Sequence, residues 1–401
     1  MSFIFILLAL FYFLFFWFRN KDIMNPNMIF LVFWNLACAI SCLDVGMFSP
    51  WSDLMYFVTI ISGLFFFIGS VSNFQSIKIK IGSKKVEKVY IAKKYYGITY
   101  FLFFICFSCA IIEWLNVGAP ISFQIDSIGT DIKAELDGAI PGVHYGTIFF
   151  PYVSLFLFFI LMNNGKNRKV HIFMILFSVF FSIISNLSRG ELLIYILSLF
   201  YLYYRFNRIS KKMSLITLGI TITMLIVVMI FRVNTESVVL NMTENVYLSV
   251  FYSYIAPCFA NMNDLINSDL PYHLYGNASF APLWTIIGEH SQMKVVRFEQ
   301  FGVFNATPYV YGFYHDYKVY GVIFFPFVFG YLVSKIYSAS VLNSSYWILL
   351  LAALQKGLYL SFFGNYFTGE MVLLFPFLFI VIIILKLPKS KRIEYESFPN
   401  K

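Results

Sequence analysis

Residues 170–204 have the sequence VHIFMILFSVFFSIISNLSRGELLIYILSLFYLYY, in which two apolar runs surround a short polar stretch. The runs are Val170–Leu187 and Leu192–Tyr204, whereas a full membrane span needs about 20 apolar residues. We therefore interpret them as two short helices that meet near one membrane face, with Arg189 at their junction. An ionisable residue at membrane depth is costly and by default marks a functional site. An interfacial arginine that holds a helix turn in place is the alternative.

The composition of the whole chain agrees with this local pattern. Of its 401 residues, 60% are hydrophobic and 12% are charged, and the mean hydropathy is +0.76. A soluble domain has about 25% charged residues. The sequence therefore predicts an all-α, polytopic membrane protein with one helical domain over residues 1–401. The net charge of +9 reports orientation in such a protein, and we expect no nucleic-acid partner.

The apolar runs predict about eleven spans, with the N-terminus outside and the C-terminus in the cytoplasm. The segments placed inside hold 22 of the 29 lysines and arginines, as the positive-inside rule requires. The predicted spans are Phe3–Phe18, Met28–Leu43, Leu54–Val71, Tyr95–Trp114, Tyr145–Met162, the two short helices, Met213–Phe231, Val319–Tyr337, Tyr346–Phe363 and Met371–Leu385.

A large extracytoplasmic loop over residues 232–318 is predicted between the eighth and ninth spans. Its apolar part, Tyr247–Met262, contains Pro257, which favours an interfacial or re-entrant helix over a span. Seven basic residues fall outside the cytoplasmic segments. An anionic ligand such as a lipid diphosphate would explain them, and arginine suits phosphate because it binds it in a bidentate manner. The seven are Lys133, Arg189, Arg232, Lys294, Arg297, Lys318 and Lys356.

A second informative stretch is NATPYVYGFYHDYKVYGVIFFPFVFG, residues 305–330. Its aromatic residues, which include Tyr309, Tyr311, Phe313, Tyr314, Tyr317 and Tyr320, predict an interfacial aromatic belt. They also fit a saccharide groove, since tyrosines stack on sugar rings. His315 and Asp316 stand at the mouth of a span, and such a pair can serve as a general base when burial tunes it. The five histidines show no metal-ligand spacing, and the C-x-x-C of Cys106 and Cys109 lies inside an apolar span, which favours small residues on a helix face over a zinc or redox site. We expect neither a metal nor a cofactor.

These two stretches resemble a known family. The run SNLSRGELLIYIL is similar to the serine-arginine-glycine motif of bacterial oligosaccharide repeat unit polymerases (the Wzy type). Residues 305–330 resemble that family's segment, in which Asn and Thr precede aromatic residues and an Asp-x-Gly pattern leads into a glycine-containing span. The family pattern there is usually Asp-Phe-Gly, whereas this chain has Asp316-Tyr317-Lys318, with Gly321 following.

The resemblance implies a glycosyltransferase in the bacterial cytoplasmic (inner) membrane. Such enzymes transfer a growing glycan from undecaprenyl diphosphate onto a sugar hydroxyl of another lipid-linked repeat unit, and a chain-length regulator protein is an expected partner. The diphosphate leaving group needs positive charge, for which Arg189, helped by Arg232 or Arg297, is the candidate. Asp316 with His315 is the expected base. The other base candidates are Glu191, Glu289 and His290, and the further substrate-binding candidates are Lys318, Tyr311 and Tyr314.

Two other functions remain open from the sequence. A ligase that moves finished glycan onto another acceptor would share an arginine-rich outer site. A flippase for lipid-linked oligosaccharide would carry charges along a central cavity through many spans. Here the charges gather at one face, with Lys356 and Glu113 as the main exceptions. No internal repeat is visible, which weakens a transporter interpretation.

Overall fold

A computed structural model describes 14 segments of the chain, and 84% of their residues are helical with no strand. Five helices in these segments are long and apolar enough to cross a membrane: Ser2–Asn20, Asp53–Ser72, Tyr96–Asn116, Val143–Asn163 and Tyr311–Val341. The part of the chain that the structure describes is therefore helical and has the apolar helices of a membrane protein. The described residues are 1–43, 48–72, 94–116, 143–164, 167–185, 195–207, 246–268, 270, 276–281, 283–284, 298, 300, 306–342 and 345–368.

The helices in these segments follow the predicted apolar runs closely. They are α1 (Ser2–Asn20), α2 (Pro26–Ser41), α3 (Asp53–Ser72), α4 (Lys94–Asn116), α5 (Val143–Asn164), α6 (Arg168–Ser185), a π-helical turn (Tyr195–Leu199) that continues into α7 (Phe200–Asn207), α8 (Val246–Asn267), α9 (Tyr311–Leu342) and α10 (Ser345–Tyr359).

Two of the predicted helices differ from those in the structure. The run Tyr346–Phe363 was expected to be a full span, but α10 ends at Tyr359, where the chain turns. Pro257 was expected to interrupt Tyr247–Met262, whereas α8 continues through it. The predicted spans Met213–Phe231 and Met371–Leu385 lie outside the described residues.

The first two helices form an antiparallel hairpin with a defined turn. Asn25 caps α2 by accepting hydrogen bonds from the N–H groups of Asn27 at 2.9 Å and Met28 at 3.3 Å, and Pro26 occupies the first helical position. Both are typical signals of a helix start. At the other end of the hairpin the Ser2 hydroxyl donates to the Ala39 carbonyl at 2.7 Å, which fixes the register of α1 and α2.

Glycine allows α3 and α9 to pack backbone against backbone. A Cβ atom at Gly69 would overlap the carbonyl of Phe327, and one at Gly330 would overlap the carbonyl of Phe66. Small residues at such contacts are common between membrane helices, because close approach of the backbones gains van der Waals contact. The two helices are therefore held at a distance that tolerates no side chain at either glycine.

The long helix α9 reverses direction near its start. Lys318 has φ 52° and ψ −139°, which is not helical. Phe313 and Phe325 would be about 18 Å apart along a straight helix, yet their rings stack with centroids 4.3 Å apart. Residues 311–317 therefore fold back against the span that begins at Val319.

This reversal buries aromatic residues that were expected at the membrane interface. The Tyr309 ring contacts Phe30 and Trp34, in the middle of α2, with centroids 5.2 and 5.0 Å away. Tyr309, Tyr311, Phe313 and Tyr314 all belong to the buried core. The predicted aromatic belt is wrong for these four, because the reversal carries them inside the bundle. Tyr320, beyond the break, is exposed.

Helix α8 contacts the connection between α2 and α3 near both of its own ends. The Tyr252 hydroxyl donates to the Leu43 carbonyl at 3.0 Å. Eleven residues later, the Asn263 side chain accepts from the Ser52 N–H at 3.0 Å and donates to the Pro50 carbonyl at 3.2 Å. These contacts place α8 beside the ends of α2 and α3. Whether it lies in the membrane interface stays a prediction.

Most buried hydrophobic residues of the described helices belong to two large clusters. The larger joins residues of α1, α2, α3, α8, α9 and α10, together with parts of α5 and α7. The smaller joins α4, α5 and α6 around Phe103, Phe150 and Ile175. A hydrogen bond of 2.8 Å between the hydroxyls of Ser154 and Ser178 links α5 to α6 inside the second cluster.

Candidate active site

The His315–Asp316 pair lies just before the reversal of α9. Nδ1 of His315 is 2.9 Å from Oδ1 of Asp316, and both side chains are buried, with 1% and 0% of their surface exposed. The sequence predicted these two residues as a catalytic pair. The structure brings them into direct contact.

The Asp316 carboxylate also binds the backbone of another segment. It accepts hydrogen bonds from the N–H of Ala278, at 3.1 and 3.3 Å to its two oxygens, and from the N–H of Ser279 at 2.7 Å. These residues belong to a turn at 276–281, closed by a 2.8 Å hydrogen bond from the Phe280 N–H to the Gly276 carbonyl. A carboxylate that accepts several backbone N–H groups is well satisfied where it lies.

The C-terminal part of the described chain holds the other side of this turn. The Thr368 hydroxyl donates to the Ser279 carbonyl, and the Asn365 amide donates to the Thr368 hydroxyl at 2.7 Å. The Tyr309 N–H donates to the Ser361 carbonyl at 2.8 Å. The start of α9, the 276–281 turn and residues 361–368 therefore meet around Asp316.

Three of the predicted substrate-binding residues lie in the same region. The ammonium of Lys318 is 5.3 Å from the centre of the Tyr314 ring, a cation–π contact. The Tyr311 hydroxyl accepts a hydrogen bond from the Phe298 N–H at 3.3 Å. The rings of Tyr311 and Tyr314 are each 4% exposed, so a sugar would have little of either ring to stack on in this conformation. Their role in binding stays a prediction.

In this conformation the Asp316 carboxylate is better placed to hold the 276–281 turn than to act as a general base. A general base must lie within hydrogen-bond reach of the proton that it takes. Here the carboxylate is buried and occupied by His315, Ala278 and Ser279. Asp316 could reach a substrate hydroxyl only if the 276–281 turn moved away from it. Its catalytic role therefore stays a prediction.

The other predicted site residues lie outside the described residues. These are Arg189, Glu191, Arg232 and Arg297, together with the alternatives Glu289 and His290. In the part of the chain that the structure does describe, no group of three or more His, Cys, Asp or Glu side chains could hold a metal ion. No protein-family model, curated protein or solved structure matches this chain.

Two charged clusters were not predicted from the sequence. One joins Asp22 to Arg205, with 3.2 Å between Oδ2 and a guanidinium nitrogen. The other joins Glu113 to His144, with 2.7 Å between Oε1 and Nδ1. Each pair connects residues in different helices or turns, so no local spacing reveals it. The available signal was that Glu113 is an acid inside a predicted span, which is costly without a partner.

Proposed function

We propose that this protein is an oligosaccharide repeat unit polymerase of the Wzy type. It joins glycan units carried on undecaprenyl diphosphate at the extracytoplasmic face of a bacterial cytoplasmic membrane. A chain-length regulator is its expected protein partner. The apolar helices support the membrane setting, and the stretch around Arg189 and the stretch around Asp316 carry the proposal.

The observation that supports it most directly concerns Lys318. The family pattern has glycine two residues after its aspartate, and this chain has Lys318 at that place. Lys318 has φ 52° and ψ −139°, a region that is almost reserved for glycine. The backbone thus keeps the conformation that the family's glycine would allow, although the side chain differs. The backbone conformation at Lys318 therefore supports the resemblance at the position where this sequence departs from the family pattern.

The proposed chemistry is a displacement at the anomeric carbon of the growing glycan. The acceptor hydroxyl oxygen forms the new bond to this carbon while the bond to the diphosphate oxygen breaks. The diphosphate leaves with the electron pair, and the hydroxyl proton passes to a base. Arg189, helped by Arg232 or Arg297, would stabilise the charge on the leaving group through bidentate hydrogen bonds.

The proposed topology has eleven spans, with the N-terminus outside and the loop 232–318 on the outer face. It puts the turn around Asp22 on the cytoplasmic face and Arg189 on the outer face. A lipid-linked substrate would then reach Arg189 laterally from the outer leaflet. The charge bias of the predicted loops supports this orientation.

Glycan analysis of a deletion strain tests the proposal. A polymerase defect leaves single repeat units attached to the normal acceptor, with no longer chains. Complete loss of attached glycan identifies a ligase instead. Accumulation of lipid-linked units in the inner leaflet, measured in vesicles, identifies a flippase. Restoration of long chains by the wild-type gene links the defect to this protein.

A further inference from the structure

A second histidine–carboxylate pair lies where α4 and α5 meet. Glu113 is near the end of α4, and His144 is the second residue of α5. Oε1 of Glu113 is 2.7 Å from Nδ1 of His144. The two helices are connected by residues 117–142, which lie outside the described part of the chain.

Close packing of the two helices makes this contact possible. A Cβ atom at Gly146 would lie 2.5 Å from the sulfur of Cys109. Cys109 is one helical turn before Glu113, and Gly146 is two residues after His144. Because glycine has no side chain at this point, α4 and α5 approach closely enough for His144 to reach the carboxylate.

The two histidine–carboxylate pairs differ in how far their side chains are exposed. The His144 side chain is 46% exposed, while Glu113 is 5% exposed. His315 and Asp316 are buried at 1% and 0%, and Asp316 already binds two backbone N–H groups. A buried carboxylate that orients an exposed imidazole is the arrangement in which histidine acts as a base.

The pair also lies beside the helix that leads into the Arg189 stretch. Trp114, next to Glu113, contacts the ring of Phe181 in α6 with centroids 5.8 Å apart. Phe181 is eight residues before Arg189, and α6 ends at Ser185. The end of α4 that carries Glu113 is thus next to the end of α6 from which the Arg189 stretch continues.

We propose that His144 is the general base of the transfer reaction and that Glu113 is its positioning residue; this rests on the proposed function. His144 takes the proton of the acceptor hydroxyl on Nε2 as the oxygen attacks the anomeric carbon and the diphosphate leaves. Glu113 accepts the hydrogen bond from Nδ1, holds the ring in the correct tautomer and stabilises the imidazolium that forms. Asp316 then serves to hold the 276–281 turn.

Turnover by the purified full-length protein in liposomes tests this assignment. The substrate is the lipid-linked repeat unit isolated from a strain that lacks the gene, and products are resolved by chain length. We expect His144→Ala to lower turnover about 100-fold or more at saturating substrate, with little change in KM. Added imidazole should restore part of it, because a free base replaces the missing ring. We expect Glu113→Gln to lower turnover too, and Glu113→Asp to retain more of it.

One control variant and three possible results decide the assignment. His171→Ala removes a buried histidine that is bonded to Tyr100, and imidazole should not raise its turnover. Wild-type turnover in His144→Ala overturns the assignment of the base while leaving the polymerase proposal intact. If His144→Ala loses turnover, has lower thermal stability and is not rescued by imidazole, then His144 makes a structural contact. That result also overturns its assignment as the base. A wild-type protein that fails to extend the substrate overturns the proposed function itself.

Discussion

Tyr337 donates a hydrogen bond of 2.7 Å from its phenol to the carboxylate of Asp22, which lies 315 residues earlier in the chain. The same carboxylate pairs with Arg205 at 3.2 Å and accepts from the Tyr204 phenol at 3.1 Å and the Met24 N–H at 3.0 Å. Asp22 is 1% exposed. One buried carboxylate therefore joins the α1–α2 turn to α7, which follows the Arg189 stretch, and to α9, which carries the His315–Asp316 pair in its first turns.

Loss of this carboxylate should destabilise the protein strongly. Asp22→Asn leaves the Arg205 charge buried without its partner, which costs about 3–5 kcal/mol. Thermal unfolding of the detergent-purified protein measures the effect. Asp53→Asn, at an exposed acid of α3, is the matched control and should change little. The double variant with Arg205→Gln should recover part of the loss, and an equal or larger loss in the double variant would contradict the pairing.

The glycine contact between α3 and α9 should not tolerate a large side chain. Gly330→Leu forces the backbone of Phe66 away and should destabilise the protein by at least about 1–3 kcal/mol, the typical cost of overpacking. A Cβ atom at Gly97, in α4, meets no atom within 4 Å, so Gly97→Leu should not destabilise the protein and should gain some helix stability. The measurement is protein level in the membrane with thermal unfolding in detergent. Equal behaviour of the two variants would refute the close packing.

The backbone conformation at Lys318 predicts that a glycine at this position stabilises the protein. Lys318→Gly removes a side chain from a backbone conformation that costs an L residue about 1–3 kcal/mol. Because glycine also makes the unfolded chain more flexible, we expect the free energy of unfolding to rise by only about 1 kcal/mol. Lys335→Gly, at an exposed position in the regular part of α9, should instead lose about 1 kcal/mol. Opposite shifts in unfolding temperature support the reversal, and parallel shifts argue against it.

The variant Asp316→Asn distinguishes a structural role of the Asp316 carboxylate from a role as general base. The neutral amide weakens the hydrogen bonds to Ala278 and Ser279, which are worth about 1.5–3 kcal/mol to a charged group. We expect lower thermal stability and easier proteolysis near the 276–281 turn, with turnover reduced less than in His144→Ala. Unchanged stability with abolished turnover and unchanged KM would return Asp316 to the role of base.

Arg189 should be indispensable for polymer formation. Arg189→Ala and Arg189→Lys should both abolish long chains, because a lysine cannot bind a diphosphate through two parallel hydrogen bonds. Arg168→Ala, at the exposed start of α6, is the control and should leave chain length normal. Glycan gels and immunoblots of membranes give the readouts. Normal chains in Arg189→Ala, or labelling of Arg189→Cys from the cytoplasm, would remove Arg189 from the mechanism.

The helices could be predicted from the sequence because their signals are local. The runs Phe3–Phe18 and Leu54–Val71 contain no charged residue, and the helices found there extend beyond them by one or two residues at each end. Pro26 and Asn25 also mark the start of α2 by type alone. A segment that crosses the bilayer must satisfy its backbone hydrogen bonds there without water. An apolar run of this length does so as a helix.

The reversal of α9 and the two charged pairs could not be predicted in this way. Lys318 gives no sign of a left-handed backbone, and the aromatic residues before it look like those of an interfacial belt. Asp22 and Arg205 each resemble ordinary charges of a cytoplasmic loop, and only the packed helices show that they meet. Glu113 and His144 meet across a long connection for the same reason. Contacts between distant segments depend on packing, which no local pattern encodes.

The reversal at Lys318 also sets an order of biogenesis. Residues 309–317 find their hydrogen-bond partners partly in residues that the ribosome makes later, such as Ser361, which accepts from the Tyr309 N–H. Polar backbone groups cannot stay in lipid without partners, so this piece of chain should wait in the translocon or in contact with water until about fifty more residues have been translated. A nascent chain stalled before residue 361 should therefore keep it accessible to a soluble protease, and one stalled well beyond that point should protect it.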